Sequence, residues 1–297
     1  MTYSIIARDP ATGEMGCAVQ SHFFSVGPVV PWAESGVGIV ARQAMAQPLY
    51  GPASLDLMRR GIAAPDALRA LLTVDPGAEQ RQVAMIDASG AVAAHTSARC
   101  IAHAGHRTAD GVSVQANMME RDTVPDAMLA AFTAETRPLA ERLLAALDAA
   151  ESEGGDIRGR QSAAMLIVRG TGTGQPWWVD RPVDLRVEDH PQPLVELRRL
   201  LVLRRAYDSH QAGSRLVMSR DRDAGMAQMD RARDLAPDNT EIMFWHALIV
   251  AHHDEAAARA LIARACASEA RWAELLRRLP AAGIFPDDPA LIDRLLA

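Results

Sequence analysis

The stretch Thr2-Tyr-Ser-Ile-Ile-Ala-Arg8-Asp9-Pro-Ala-Thr-Gly13-Glu-Met-Gly-Cys-Ala-Val-Gln20-Ser-His22 decides the reading of this chain. Tyr3 to Ala7 is β-branched, aromatic and apolar, Met15 to Gln20 resumes an apolar run, and Asp9, Pro10, Thr12 and Gly13 between them supply turn chemistry. The stretch reads as a β-hairpin. Pairing Arg8 with Glu14 across the turn sets Thr2 opposite Gln20, beside Ser21 and His22. Thr2 directly follows the initiator methionine and is small enough for that methionine to be removed. A threonine with a free α-amine carries both a nucleophile and the base that takes its proton.

The rest of the composition narrows the chemistry. The chain has 297 residues, 49% hydrophobic and 23% charged, which suits a globular protein of about two domains. All 31 basic residues are Arg. Without lysine there is no Schiff-base lysine, no lysine-bound pyridoxal phosphate, no Walker lysine and no Ser–Lys dyad. A net charge of −6 without a dense basic face argues against nucleic-acid and anionic-membrane partners. Three scattered cysteines, Cys17, Cys100 and Cys266, fit a reducing compartment rather than a disulfide framework. No leader-like segment and no apolar run of membrane-spanning length is visible, so the cytoplasm is expected.

Two textures divide the chain. Residues 1–188 alternate strand-like and helical runs, and residues 191–297 look wholly helical. In the first part strands are expected at Tyr3–Ala7, Met15–Gln20, Gly38–Arg42, Gln82–Ile86, Ala91–Thr96, Val112–Ala116, Gln161–Arg169 and Trp177–Leu185. Helical pairs are expected at Ala53–Arg60 with Pro65–Leu72 and at Pro125–Phe132 with Pro138–Ala150. Strands and helices in this order suit an α+β protein of two face-to-face sheets with helical layers outside, not βαβ alternation. In the second part Ala224–Leu235 ends in Ala236-Pro237-Asp238-Asn239, and Thr240 caps Glu241–His253, a tetratricopeptide-like pattern. About one and a half repeats cannot bury their own faces, so docking on the first domain or on a second subunit is expected, hence a homo-oligomer or a protein partner at the helical domain.

Beyond the hairpin, the chain carries Phe23-Phe24-Ser-Val-Gly27, Gln43 with Pro48-Leu-Tyr50-Gly51, His95-Thr96, Ala98-Arg99-Cys100, Gly105-His106-Arg107-Thr108, Gln115-Ala-Asn117-Met118 and Gly155-Asp156-Ile-Arg158-Gly159-Arg160-Gln161-Ser162-Ala163. With Thr2 to Gly13, these runs resemble domain-of-unknown-function family 1028, over roughly Met1 to Arg169. Trp272–Gly283 looks like the helical extension some members carry. The resemblance implies a four-layer αββα fold of the N-terminal-nucleophile (Ntn) hydrolase type, a superfamily of amide-bond chemists, although the family's own reaction is not settled. The family leads one to expect Lys or Arg where this chain has His22, and Lys where it has Arg160.

The candidate catalytic residues are Thr2, His22 as base or orienting group, and Asn117. Substrate-binding candidates are Ser4, Ser21, Gln43, His106, Gln115, Asp156, Arg158 and Ser162. Arg158 could grip a carboxylate bidentately, and glycine-rich backbone near it could serve an oxyanion. Gln115 and Asn117 alternate on one strand face, where they hold an amide substrate or form a buried network joining the sheets. A third reading places the nucleophile at Ser4 or Cys17. Cys100-x2-His103-x2-His106 has metal-like spacing but no fourth ligand, so no metal and no other cofactor is expected. Gly170-Thr-Gly-Thr-Gly174 lies between two strands and reads as a hairpin turn rather than a phosphate loop. His252-His253 reads as a helix C-terminus, and Trp177-Trp178 as packing beneath the helical domain. The expected function is an Ntn-type amidohydrolase acting on a small amide or peptide-like substrate. The alternative is a non-catalytic scaffold that keeps Met1.

Overall fold

The structure, a computed structural model, describes residues 2–297. The chain divides between Leu200 and Leu201 into two compact units.

In the first unit, strands β1 (Thr2–Arg8), β2 (Met15–Ser21), β7 (Gly105–Ala109), β8 (Val112–Asn117), β9 (Ser162–Val168) and β10 (Val183–Val187) form one sheet, in the order β10-β9-β2-β1-β8-β7. Strands β3 (Pro31–Glu34), β4 (Gly38–Ala44), β5 (Arg81–Asp87) and β6 (Val92–Thr96) form a second sheet in the order β3-β4-β5-β6. Every pairing is antiparallel. Helices α1 (Tyr50–Arg59) and α2 (Ala64–Val74) lie on the second sheet, α3 (Val124–Ala134) and α4 (Leu139–Ser152) on the first, and the two sheets touch each other through β1, β2, β4 and β5.

Because both faces of each central strand are covered, these strands lack polar alternation. On β1, Tyr3, Ile5 and Ala7 are fully buried on the face toward α4, while Ile6 joins Cys17, Val19, Ile39, Ala41, Ala84 and Ile86 between the sheets. On β4 and β5 the other face, Val40, Val83 and Met85, packs with Tyr50, Leu55, Met58 and Leu68 of α1 and α2. β2 approaches α4 so closely at Gly16 that a Cβ there would lie 2.6 Å from a Leu143 methyl carbon.

The hairpin forms where the sequence puts it, but one residue out of the expected register. Arg8 pairs with Met15 and Tyr3 with Gln20, so Thr2 comes opposite Ser21 rather than Gln20. The cause is the Asp9 turn: its carboxylate accepts from the Ala11 and Thr12 amides, and the Asp9 amide donates to Glu14, which lengthens the loop. The consequence is large, since a one-residue slip exchanges the faces of a strand. Two strands escaped the sequence reading, the short edge strands β3 and β7. The expected strand from Trp177 begins only at Val183. Trp177 and Trp178 are 62% and 61% exposed and stack edge to face, with Arg181 over the Trp177 ring.

The second unit is helical. α5 (Pro193–Met218) begins in the first unit, and from Leu201 onward it leads into α6 (Arg222–Leu235), α7 (Thr240–Val250), α8 (Glu255–Ser268), α9 (Arg271–Arg278) and α10 (Pro289–Leu296). Its core gathers Phe244, Ala247 and Leu248 of α7, Leu261, Ile262 and Ala265 of α8, Leu276 of α9 and Ile292 and Leu295 of α10. The cap before α7 is Asn239, whose side chain accepts from the Ile242 amide, not Thr240. α7 ends at Val250, leaving His252 and His253 in the following turn.

Two expectations follow. Glycine inside a helix ordinarily gains stability on replacement by Ala. At Gly51 in α1, however, an added Cβ would lie 2.3 Å from the Trp32 indole. Gly51→Ala therefore destabilises, by about 1–3 kcal/mol, readable as a lowered urea midpoint. His246 on α7 is 1% exposed, neither ring nitrogen has a hydrogen-bond partner, and burial pulls its pKa below the ordinary value against the opposing pull of Asp230. The unfolded chain then takes up the proton first as pH falls, so stability present above the ordinary histidine range declines below it. The urea midpoint should drop between pH 7 and pH 5, and His246→Gln should flatten that dependence.

Candidate functional site

Between the sheets, the side chains change character toward the start of β1. Ile6 sits in the apolar core, whereas Ser4 and Thr2, on the same face, enter a buried polar cluster with Gln43 of β4, Gln82 of β5, and Ser113, Gln115 and Asn117 of β8. Strand register explains the meeting. Thr2 is the Cα partner of Asn117 and Ser4 of Gln115, while Gln43 is the partner of Gln82 in the facing sheet.

The hydrogen bonds run in one direction. Ser113 Oγ donates to Gln115 Oε1 (2.9 Å), Gln115 Nε2 to Ser4 Oγ (2.6 Å), Ser4 Oγ to Gln43 Oε1 (2.7 Å) and Gln43 Nε2 to Gln82 Oε1 (2.7 Å). Gln82 Nε2 then lies 2.8 Å from the Ala116 carbonyl and 2.9 Å from Thr96 Oγ1. Asn117 Nδ2 joins at Gln82 Oε1 (2.7 Å). Such head-to-tail chains polarise each member in the same sense and fix the spacing of the sheets. Two of the carboxamides also reach Thr2: Gln43 Nε2 is 3.1 Å and Asn117 Nδ2 3.4 Å from its carbonyl oxygen. Thr2 Oγ1 donates to Ser21 Oγ at 3.1 Å. Asn117 Oδ1 is buried with no hydrogen-bond partner, an acceptor left over beside the first residue of β1.

The opposite face of β1 carries a second polar group. The Tyr3 hydroxyl contacts Gln20 Oε1 and Glu151 Oε1, and Arg160 contacts the other Glu151 oxygen. Burial, then the adjacent Glu151 carboxylate, holds the phenol protonated far above its ordinary pKa. One hydroxyl proton cannot serve two acceptors, and Gln20 Nε2 lacks a partner. Turning the Gln20 carboxamide end for end lets Nε2 donate to the phenol while the phenol donates to Glu151.

Thr2, Ser4, Ser21, Gln43, Gln115 and Asn117 thus form one cluster. The remaining candidates lie around it. His22 is half-buried beside Gly159, with Nδ1 unpartnered; its backbone amide donates to Asp156 Oδ2 (3.1 Å). Arg158 does grip a carboxylate with two nitrogens, but the carboxylate is Asp156, at 3.0 and 2.8 Å. The pair braces the loop before β9, and Asp156 is 3% exposed. Ser162 likewise works on backbone, donating to the Phe23 carbonyl (2.6 Å) and accepting from the Val26 amide (3.1 Å). His106 Nδ1 meets Thr96 Oγ1 at 2.9 Å, and burial pulls its pKa below the ordinary value. Cys100, His103 and His106 diverge: Cys100 donates to the Arg81 carbonyl, and His103 Nδ1 lies against the carbonyls of Met119 and Glu120. Among the described residues no group of three metal-ligating side chains gathers. Cys17 is fully buried, which raises its thiol pKa far above the ordinary range, and Ser4 is 0% exposed inside the network, so neither suits a nucleophile.

Gln82 is the residue sequence reasoning missed. Its signal was available: it shares an inward parity with Ala84 and Ile86 on an otherwise apolar strand, where an unpaired carboxamide would be costly. Backbone conformation also singles out this end of the unit. Ser25, Ala44, His103 and Met118 all adopt positive φ, and each lies at or just beyond the end of a cluster-bearing strand or in the loop that contacts one. Non-glycine residues take this conformation only where surrounding contacts impose it.

Comparison with known proteins agrees with the family resemblance. Among curated proteins none matches the chain. A crystal structure of a DUF1028 protein from Silicibacter pomeroyi is 33% identical, covers 67% of this chain and 87% of its own, and superposes with a TM-score of 0.60. Anbu (ancestral beta-subunit) from Yersinia bercovieri covers 67% of this chain and 92% of its own at 13% identity, with a TM-score of only 0.33. The sequence pattern of the family of unknown function DUF1028 matches residues 2–197, and the chain belongs to that family.

Proposed function

We propose that the first unit is a four-layer αββα domain of the Ntn-hydrolase type, and that it hydrolyses a small amide or peptide-like substrate with Thr2 as the nucleophile. The observation that carries this reading is the convergence of Gln43, Asn117 and Ser21 on Thr2, the first described residue of a central strand. Removal of the preceding methionine frees the Thr2 amine. The amine takes the proton from Oγ1 as Oγ1 attacks the substrate carbonyl, then passes it to the leaving nitrogen as the C–N bond breaks. Water activated by the same amine hydrolyses the resulting ester and restores the hydroxyl. The two carboxamides on the Thr2 carbonyl hold the residue in place, and the spare acceptor Asn117 Oδ1 orients the amine. Ser21 fixes the Oγ1 rotamer. With no lysine in the chain, the α-amine is the base closest to hand.

One observation favours a second reading, a non-catalytic scaffold. Thr2 is only 4% exposed, and the cluster's other hydroxyls and carboxamides largely satisfy one another, which is what a polar seam between two sheets requires.

Intact mass and N-terminal sequencing of protein from a native-type host should give a chain beginning at Thr2. A fluorogenic amide panel should then show turnover that Thr2→Ala abolishes and Thr2→Ser partly retains. Quantitative retention of the methionine, or full activity in Thr2→Ala, refutes the enzyme. Gln82→Leu separates the seam's structural part, since it removes the acceptor shared by Gln43 Nε2 and Asn117 Nδ2 and leaves both only their longer contacts to backbone carbonyls. It should cost about 1–3 kcal/mol in urea unfolding, at roughly 0.5–1.5 kcal/mol for each of the two buried hydrogen bonds lost.

A further inference from the structure

The helical unit holds a cavity of about 410 Å³ between α6, α7 and α8. Its floor is apolar, with Met226, Val250 and Leu261, and its rim is cationic, with Arg222, Arg233 and Arg264. These arginines are differently engaged. Arg233 pairs with Asp230 at 3.0 Å, whereas Arg264 contacts only the Pro237 carbonyl, at 3.2 Å, and neither Arg222 nor Arg264 forms an ion pair among the described residues. The one other acid on the wall, Asp254, is spent on capping α8, where it accepts from the Ala257 amide. The cavity wall also includes His246, 1% exposed, with both ring nitrogens buried and unpartnered. A polar ring held in that state inside a folded protein leaves a donor and an acceptor for something not part of the chain.

The charges lie at two ends. Arg222 and Arg233 are separated by eleven helical steps, about 16 Å along α6. His246 lies within α7, which follows the Arg233 end of α6, and His253 in the turn after α7, while Arg264 reaches the Pro237 carbonyl just past that same end of α6. A ligand that neutralises both ends must carry two anionic groups across an apolar middle. Planar guanidinium groups match carboxylates bidentately.

We infer that this cavity binds a ligand with two carboxylates on an apolar spacer, seated on Arg264 and His246 at one end and on Arg222 at the other. Free dicarboxylic acids and acidic peptides share this chemistry, so the test includes both. Full-length protein is titrated calorimetrically with adipate, with suberate, with the peptide Glu-Leu-Leu-Glu and with inorganic phosphate. Saturable binding of either dicarboxylate or of the peptide is expected, weakened at least tenfold in Arg222→Gln and in Arg264→Gln. Tighter binding of the peptide than of both acids identifies a protein segment as the source, and the reverse identifies a metabolite. Both variants alter exposed side chains, and unchanged thermal unfolding checks that they fold. In the His246→Gln variant, Gln offers a donor and an acceptor of different reach, and affinity should fall while the urea midpoint at pH 7 holds. No binding at millimolar concentrations, binding of phosphate as tight as that of the dicarboxylates, or affinities untouched in both arginine variants overturns the inference.

Discussion

The first unit depends on one chain of hydrogen bonds, from Ser113 through Gln115, Ser4 and Gln43 to Gln82. Two sheets that bury both faces must be glued across their common interface. Over most of it Ile6, Val19, Ile39 and Ile86 do this without directional preference. At the start of β1 the interface turns polar, and polar groups in that setting must find partners or forfeit stability. Carboxamides solve the problem because each carries donors and an acceptor at fixed separation. A chain of them crossing between sheets tolerates no shift in register. The same residues that join the sheets therefore fix the position of Thr2 to within a hydrogen bond.

This double duty explains why structural and catalytic readings of the cluster compete. A nucleophile must be held rigidly by groups that are themselves held, and the groups holding Thr2 are those that hold the sheets. Gln43 shows the overlap: its Nε2 spans the Thr2 carbonyl, the Gln82 carboxamide and the Gln115 carbonyl. The loops around the cluster are tied with equal care. Asp156 anchors the His22 amide and is clamped by Arg158, and Ser162 holds both Phe23 and Val26. Positive φ at Ser25, Ala44 and Met118 is stored conformational cost at the same end of the unit.

Much of this was legible in the sequence, for identifiable reasons. Strands β1, β2, β4, β5, β8 and β9 announce themselves as apolar runs bounded by turn residues, and their order excluded a βαβ fold. Gln115 and Asn117 stood out because alternation places both on one face. What escaped depends on non-local partners. Edge strands β3 and β7 are short and half-exposed, so no apolar run marks them. The hairpin register hinged on the Asp9 side chain accepting two loop amides, a local choice that counting residues cannot resolve. Arg158 was read as able to grip a substrate carboxylate, whereas the carboxylate it holds is Asp156, two residues away. Gln82 went unnoticed because a single glutamine in an apolar strand gains meaning only when the facing sheet supplies Asn117 and its own neighbour strand supplies Gln43.

The absence of lysine gives the polar clusters a common logic. Arginine stays protonated at every pH a folded protein ordinarily meets and so cannot serve as a proton shuttle. In the first unit arginines accordingly act as braces, Arg158 on Asp156 and Arg160 on Glu151. Proton traffic must then fall to groups that titrate near neutrality. His106 is pulled toward its neutral form by burial and ties Thr96 into the Gln82 end of the network, away from Thr2. His22 lies beside Gly159, and its backbone amide is held by Asp156. Among the described residues, the side chains hydrogen-bonded to Thr2 are a hydroxyl and two carboxamides, none of which takes a proton at neutral pH. Any nucleophilic chemistry at Thr2 therefore requires a base from outside that set, and the residue's own backbone nitrogen is the group already fixed in position beside the hydroxyl.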